Sequence, residues 1–222
     1  MINFLRPDGA QGRGYLAQGQ GSPAGPGVVL IQEWWGLNEH ICGIADRLAA
    51  QGLTVLAPDL YRGRLASTSD EASHMMAGLD FGDATHQDIR GAAQHLAQHC
   101  SKVGVMGFCM GGALTIAAAV HVPELLAAVC FYGIPPKEVA DPARIKIPFQ
   151  GHFAKQDDWC TPKVVGALEK TMRAAGAQPE IFHYDAHHAF FNQTRPEVYD
   201  AACAQLAWGR SVAFLRKHLQ AA

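Results

Sequence analysis

Five residues near the middle of the chain, Gly107-Phe108-Cys109-Met110-Gly111, restrict its architecture more than any other stretch. The apolar run Val103 to Met106 precedes them, and Gly112-Ala113-Leu114-Thr115-Ile116-Ala117-Ala118-Ala119-Val120 follows as a buried helix. A strand that turns sharply into a helix, with a nucleophilic side chain at the apex, is a nucleophile elbow. The apex backbone is strained and its neighbours two positions away crowd it. Gly107 and Gly111 carry no Cβ and relieve that crowding. Gly112 lets the helix lie close on the strand. Where such elbows usually carry serine, this one carries cysteine, so the attacking group is a thiolate. The helix start sets backbone N–H groups and a positive dipole end beneath the sulfur, lowering its pKa from a free value of about 8.5. The plainer alternative is a structural cysteine in a glycine-rich turn, since free cysteine is among the most buried residue types.

The rest of the chain supplies a sheet for this elbow to sit on. Val28-Val29-Leu30-Ile31-Gln32 is a continuous apolar run with β-branched residues, as expected of a central parallel strand. Further strands are expected at Gly14 to Gln18, Leu53 to Ala57, Val103 to Met106, Leu126 to Tyr132, Ile147 to His152 and Glu180 to Tyr184. Between them, helices are expected at Ile41 to Gln51, closed by Gly52, then at Ser69 to Leu79, Asp83 to His99 and Pro162 to Ala175, with a last one at Pro196 to His218. Gly19 to Gly27 reads as a flexible turn between two early strands. Strands alternating with helices imply a mostly parallel sheet with helices on both faces, joined by right-handed crossovers. The 222 residues, 49% hydrophobic and 17% charged, suit one such α/β domain spanning 1–222.

Composition also excludes classes of function. A formal net charge of −2 offers no electrostatic case for nucleic acid or an acidic membrane surface. No stretch approaches the roughly 18 apolar residues of a membrane span, and the N-terminus does not read as a signal peptide. Six cysteines (Cys42, Cys100, Cys109, Cys130, Cys160 and Cys203) lie far apart without a CxxC, which fits reduced thiols and a cytoplasmic location. Cys42, Cys100, Cys130 and Cys203 are expected to be buried packing residues, and Cys160 to be accessible.

Parallel sheets place their sites at the carboxyl ends of strands, which directs the search for partners of Cys109. A cysteine nucleophile needs a base, and the base needs an orienting group. In the α/β-hydrolase fold these follow the nucleophile in the order acid, then histidine. Beyond the strand ending at His152 comes Ala154-Lys155-Gln156-Asp157-Asp158-Trp159, and beyond the last strand Asp185-Ala186-His187-His188-Ala189-Phe190-Phe191-Asn192. Acid and histidine therefore stand in the required order. His95, His99, His152 and His218 read as surface or packing residues. The His183/His187 spacing could suit a metal, but a third ligand is lacking, and no metal or cofactor is expected.

At this point the chain resembles the dienelactone hydrolase family over nearly its whole length. Gln32-Glu33-Trp34-Trp35-Gly36-Leu37-Asn38 is similar to the family's Q-E-x-x-G-x-N segment, and Ala57-Pro58-Asp59-Leu60-Tyr61 to its P-D-L-Y turn. Val105 to Gly112 resembles its cysteine elbow, and Tyr184 to Phe190 its Y-x-x-x-H-x-F histidine loop. The resemblance implies Cys109 as nucleophile and His188, rather than the adjacent His187, as base. It leaves two choices of acid: alignment of Gln156-Asp157 selects Asp157, while counting back from Pro162 selects Asp158. Asp157 is preferred, because its distance from the strand end is the more direct constraint.

Glu33 follows the strand at Val28 to Ile31, so its carboxylate should emerge near Cys109. A carboxylate beside a thiol opposes the thiolate unless it takes the proton. In the family this glutamate resembles a gate, keeping the thiol protonated at rest and accepting the proton when substrate arrives. The backbone N–H groups of Met110 and, by the resemblance, Trp34 are the expected oxyanion hole. Trp35 and Phe108 are expected to line the substrate pocket. The implied reaction is hydrolysis of a small ester or lactone through a thioester, with a thioesterase or acyl-transferase, or a noncatalytic binding protein on this fold, as alternatives. Family members bind a substrate carboxylate with two arginines. Here the position four after His188 is Asn192, and Ser67 to Phe81 holds no arginine. Arg62 and Arg64 are the nearby candidates, and a less acidic ester or a different lactone is implied.

Overall fold

The computed structural model describes residues 1–19 and 25–220; most of the Gly19 to Gly27 turn lies outside them. Eight strands form one sheet: β1 (Ile2–Leu5), β2 (Gln11–Ala17), β3 (Gly27–Ile31), β4 (Thr54–Pro58), β5 (Val103–Phe108), β6 (Leu125–Phe131), β7 (Phe149–Gln156) and β8 (Glu180–His187). Their spatial order is β1-β2-β4-β3-β5-β6-β7-β8. Only the β1–β2 and β2–β4 pairs are antiparallel; every pair from β4 to β8 is parallel.

The central strands explain this arrangement. Val28, Val29, Leu30 and Ile31 of β3 are all 0% exposed, which requires packed layers on both faces. Val29 and Ile31 face one core and Val28 and Leu30 the other, following the two-residue period of a strand. Each such side chain contributes about 1.5–3 kcal/mol by leaving water. On the first face lie α4 (Arg90–Ala97), α5 (Met110–His121) and α6 (Pro162–Ala174). On the second lie α1 (Glu39–Ala49) and α7 (Ala201–Leu219). Two further segments, α2 (Ser69–Ala77) and α3 (Phe81–Asp83), complete the set. The chain passes from α3 into α4 through a π-helical stretch, Ala84–Ile89.

Several boundaries differ from the sequence expectations for identifiable reasons. β1 was not expected, because only Phe4 of its four residues is buried and no alternation shows. β8 continues three residues past Tyr184 to His187, with alternate burial of Tyr184 and Ala186, so Asp185 and His187 belong to the strand. The last helix starts at Ala201, not Pro196: Asp200 accepts a hydrogen bond from the Cys203 N–H at 2.8 Å and caps it. Among the described residues, no helix is long and apolar enough to cross a membrane.

Candidate active site

The elbow forms as its glycines require. Cys109 sits between β5 and α5 at φ 55°, ψ −116°, a conformation costing a non-glycine residue about 1–3 kcal/mol. The surroundings hold it there. Its N–H donates to the Phe131 carbonyl at 3.0 Å, and its carbonyl accepts from Ala113 N–H at 3.1 Å. A Cβ on Gly107 would run into the Gly111 carbonyl, and one on Gly112 into the Phe131 carbonyl. The sulfur is thereby presented at the start of α5, where the Met110 N–H faces it.

Strand register brings the partners to it. Ile31 pairs with Gly107, so two residues further along each strand Glu33 stands beside Cys109. Phe108 pairs with Phe131, which sets Tyr132 at the same rim. Across the next pair, Ala154 lies opposite Tyr184 but Gln156 lies opposite His187, a bulge that gives β8 one extra residue. Asp157 and His188 are the next residues on each side and meet.

The resulting contacts run in a line. His188 Nε2 lies 3.3 Å from Cys109 Sγ, and His188 Nδ1 lies 2.7 Å from Asp157 Oδ2. The other Asp157 oxygen accepts the Trp159 and Cys160 N–H groups at 2.8 and 2.9 Å. Burial works against ionised Asp157, but the His188 hydrogen bond and these two N–H groups outweigh it and hold the carboxyl below the usual range. Burial likewise disfavours the His188 imidazolium, yet Asp157 and the sulfur lift it to about 10. Burial pushes the Cys109 thiol up, Glu33 adds to that, and His188 and the Met110 N–H oppose it. The sulfur's pull on the imidazolium operates only when the sulfur is ionised, so a proton leaving Cys109 finds its favoured place on His188, 3.3 Å away. Asp158, the other candidate acid, is exposed and makes no hydrogen bond to His188.

Glu33 is 1% exposed. Asn192 Nδ2 donates to one of its oxygens at 2.5 Å and the Tyr132 hydroxyl to the other at 3.4 Å. The Asn192 carbonyl accepts from the Thr194 N–H and hydroxyl, at 2.9 and 2.6 Å, which orients its amide toward Glu33. Burial lifts Glu33 to about 7, against the pull of Asn192, His188, Tyr132 and Arg195. No hydrogen bond joins Glu33 to the sulfur; both of its oxygens turn to Tyr132 and Asn192.

A cavity of about 300 Å³ opens over these groups, lined among others by Glu33, Trp34, Trp35, Cys109, Trp159, His188 and Arg195. Phe108 corrects an expectation: it is 1% exposed and stacks on Phe131 at 4.5 Å, behind the elbow rather than in the pocket. A β5 residue facing the second core cannot also face the rim. Arg62 is held bidentate by Asp88 at 2.8 and 2.9 Å, and with Arg64 lines a separate cleft beside Tyr61. Cys160, expected to be accessible, is 4% exposed, drawn inward as its N–H binds Asp157. Cys42 and Cys203 are only partly buried. His152 is fully buried and bound to Tyr184, Gln150 and Ser211. Among the described residues no three His, Cys, Asp or Glu side chains cluster as a metal site.

Three residues at the site were not anticipated from sequence. Tyr132 directly follows β6, which was a usable signal. Asn192 and Arg195 lie in an irregular segment with no pattern to single them out.

Comparisons with known proteins place this geometry in context. A model of the dienelactone hydrolase family matches residues 13–219. Protein usf of Aquifex pyrophilus is 35% identical, over 99% of this chain and 98% of its own. The "Putative carboxymethylenebutenolidase" of Aquifex aeolicus (strain VF5) is 32% identical, over 99% of each chain. Among solved structures, a dienelactone hydrolase-like promiscuous phosphotriesterase from metagenomic libraries superposes with a TM-score of 0.83 at 25% identity, covering 99% of this chain and 98% of that one.

Proposed function

The chain belongs to the dienelactone hydrolase family, and on that footing we propose that it cleaves a small carboxylic ester or lactone with Cys109 as nucleophile, through a thioester. The unbroken line from sulfur through imidazole to buried carboxylate, 3.3 Å and then 2.7 Å, carries this reading. Substrate enters the cavity with its carbonyl over the sulfur. The thiol proton passes to His188 Nε2, and the thiolate attacks the carbonyl carbon. The Met110 and Trp34 N–H groups receive the oxyanion, a type of contact worth about 3–4 kcal/mol. Collapse breaks the ester C–O bond, and the alkoxide leaves with the proton from His188. His188 then deprotonates water, which attacks the thioester; the carboxylic acid leaves and the thiol is restored. Asp157 holds the imidazole in the tautomer and orientation that both steps need. All of this lies within one domain and calls on no cofactor.

Trapping tests the covalent step. Enzyme quenched with acid during turnover of nitrophenyl acetate is expected to carry one acetyl group on the peptide containing Cys109. An unmodified peptide under pre-steady-state conditions would remove the thioester from the mechanism.

The acid is tested by paired variants. Asp157→Asn is expected to lower kcat by about 10³- to 10⁴-fold, because the amide favours the wrong imidazole tautomer. Asp158→Asn should stay within about twofold, as expected of an exposed surface substitution. The reverse ranking would transfer the role to Asp158.

Glu33 is tested by separating thiol reactivity from turnover. Below its value of about 7 the carboxyl is neutral and does not oppose a neighbouring thiolate; above it, the ionised form does. Glu33→Gln removes that opposition, so iodoacetamide should alkylate Cys109 about fivefold faster near pH 8. If Glu33 rather than His188 takes the thiol proton when substrate binds, the same variant loses turnover by at least about tenfold. Faster alkylation with unchanged turnover would limit Glu33 to an electrostatic role.

A further inference from the structure

Three indoles and one guanidinium shape the cavity wall, and their arrangement bears on which esters fit. Trp34 stands edge-on to Trp35 at 5.4 Å and to Trp159 at 5.5 Å. In an edge-to-face contact the edge of one ring meets one face of the other, so the contact with Trp34 occupies at most one face of Trp159. Trp159 is 56% exposed, an unusual position for an indole beside a cavity that holds the reacting groups. It is nonetheless fixed in place. Its backbone N–H donates to Asp157 at 2.8 Å, and its ring lies 5.7 Å from that of His188. A flat group lying on Trp159 is therefore registered to the sulfur by the residues that activate it.

The charges of the wall favour a neutral group. Arg195 lies over Trp35 at 5.1 Å and is ion-paired with Glu197. His188 is paired with Asp157. Asp158 and Glu33 add carboxyl groups to the same wall; of its basic side chains Arg195 and His188 each face a carboxylate, and His187 is the third. A substrate bearing its own carboxylate would meet no unmatched guanidinium or ammonium group there.

We infer that the site takes neutral esters carrying a planar aromatic or conjugated group, with Trp159 as the specificity-determining residue. This rests on the hydrolase reading and narrows its substrate class. The test compares kcat/KM for phenyl acetate, ethyl phenylacetate and ethyl acetate, with 4-acetoxybenzoate as the carboxylated counterpart of phenyl acetate. At least one of the two aromatic esters is expected to exceed ethyl acetate beyond its intrinsic alkaline reactivity by about tenfold or more, and the carboxylated ester to fall below phenyl acetate. The preferred aromatic partner shows whether the ring sits on the acyl or the alcohol side.

In Trp159→Ala that preference should shrink by about tenfold, mostly through KM, while Trp159→Phe keeps most of it. No aromatic preference in the wild-type enzyme, or one untouched in Trp159→Ala, overturns the inference while leaving ester hydrolysis intact. A preference for the carboxylated ester overturns the charge argument. Failure to hydrolyse any of the four esters, ethyl acetate included, would instead count against the hydrolase reading itself.

Discussion

Cys109→Ala is expected to lower kcat/KM for nitrophenyl acetate by at least about 10⁴-fold, since members of a concerted triad lose nearly all of its effect when the nucleophile goes. The residue left behind, with His188 and Asp157 still hydrogen-bonded, can only assist attack by water. The substitution is mild for the fold. Alanine keeps the Cβ and the backbone bonds to Phe131 and Ala113 that hold the elbow, and the sulfur makes one side-chain hydrogen bond, to His188. The melting temperature should therefore stay within about 3 °C of wild type. Loss of activity with an unchanged melt assigns the nucleophile. Retained turnover would place the chemistry elsewhere and turn the sulfur into a packing atom.

Gly111→Ala is expected to act on the fold rather than on the chemistry. A Cβ there would stand 2.5 Å from the carbonyl oxygens of both Ile31 and Gln32. These are backbone atoms at the end of β3, so no rotamer change relieves the contact. Either α5 lifts from the sheet or the end of β3 is pushed away, carrying Glu33 with it. The cost should be about 3 kcal/mol or more, a large part of the 5–15 kcal/mol typical of a domain. The melting temperature should fall by about 6–12 °C. Gly166→Ala is the matching control: that glycine lies in α6, is exposed, and has nothing within 4 Å of the added Cβ. Better helix propensity should stabilise this variant by about 0.5–1 kcal/mol. If both variants melted alike, the close approach of α5 to β3 would not be what these glycines serve.

The elements legible in the sequence were those with strong local constraints. Val28 to Ile31 declares a central strand because both faces are apolar, and the Gly-x-Cys-x-Gly turn declares the elbow because few other residues could make it. β1 escaped and β2 was expected to start three residues late, because these outer strands are half in water and carry no continuous apolar run. The site divides in the same way. Cys109 follows from its place after a strand, whereas His188 was preferred to the adjacent His187 by the family resemblance. Distance from the strand end favoured Asp157 and distance from Pro162 favoured Asp158; the bulge between β7 and β8, which brings Asp157 to His188, leaves no mark in composition. Asn192 was visible only as a missing arginine. That it supplies a neutral hydrogen bond to Glu33, 159 positions away in the chain, is a matter of tertiary contact alone.

The strand order has a consequence for how the protein comes into being. The sulfur lies on β5, at the middle of the sheet and of the chain, whereas the imidazole and both side chains that steady it and Glu33 arrive with β7, β8 and the segment after them, at the outer edge. A chain made from its N-terminus therefore holds Cys109 before it holds Asp157, His188 or Asn192. Cys109 Sγ comes within 3.3 Å of His188 Nε2 only with β7 and β8 in place on that edge, so the complete arrangement depends on the part of the chain made last.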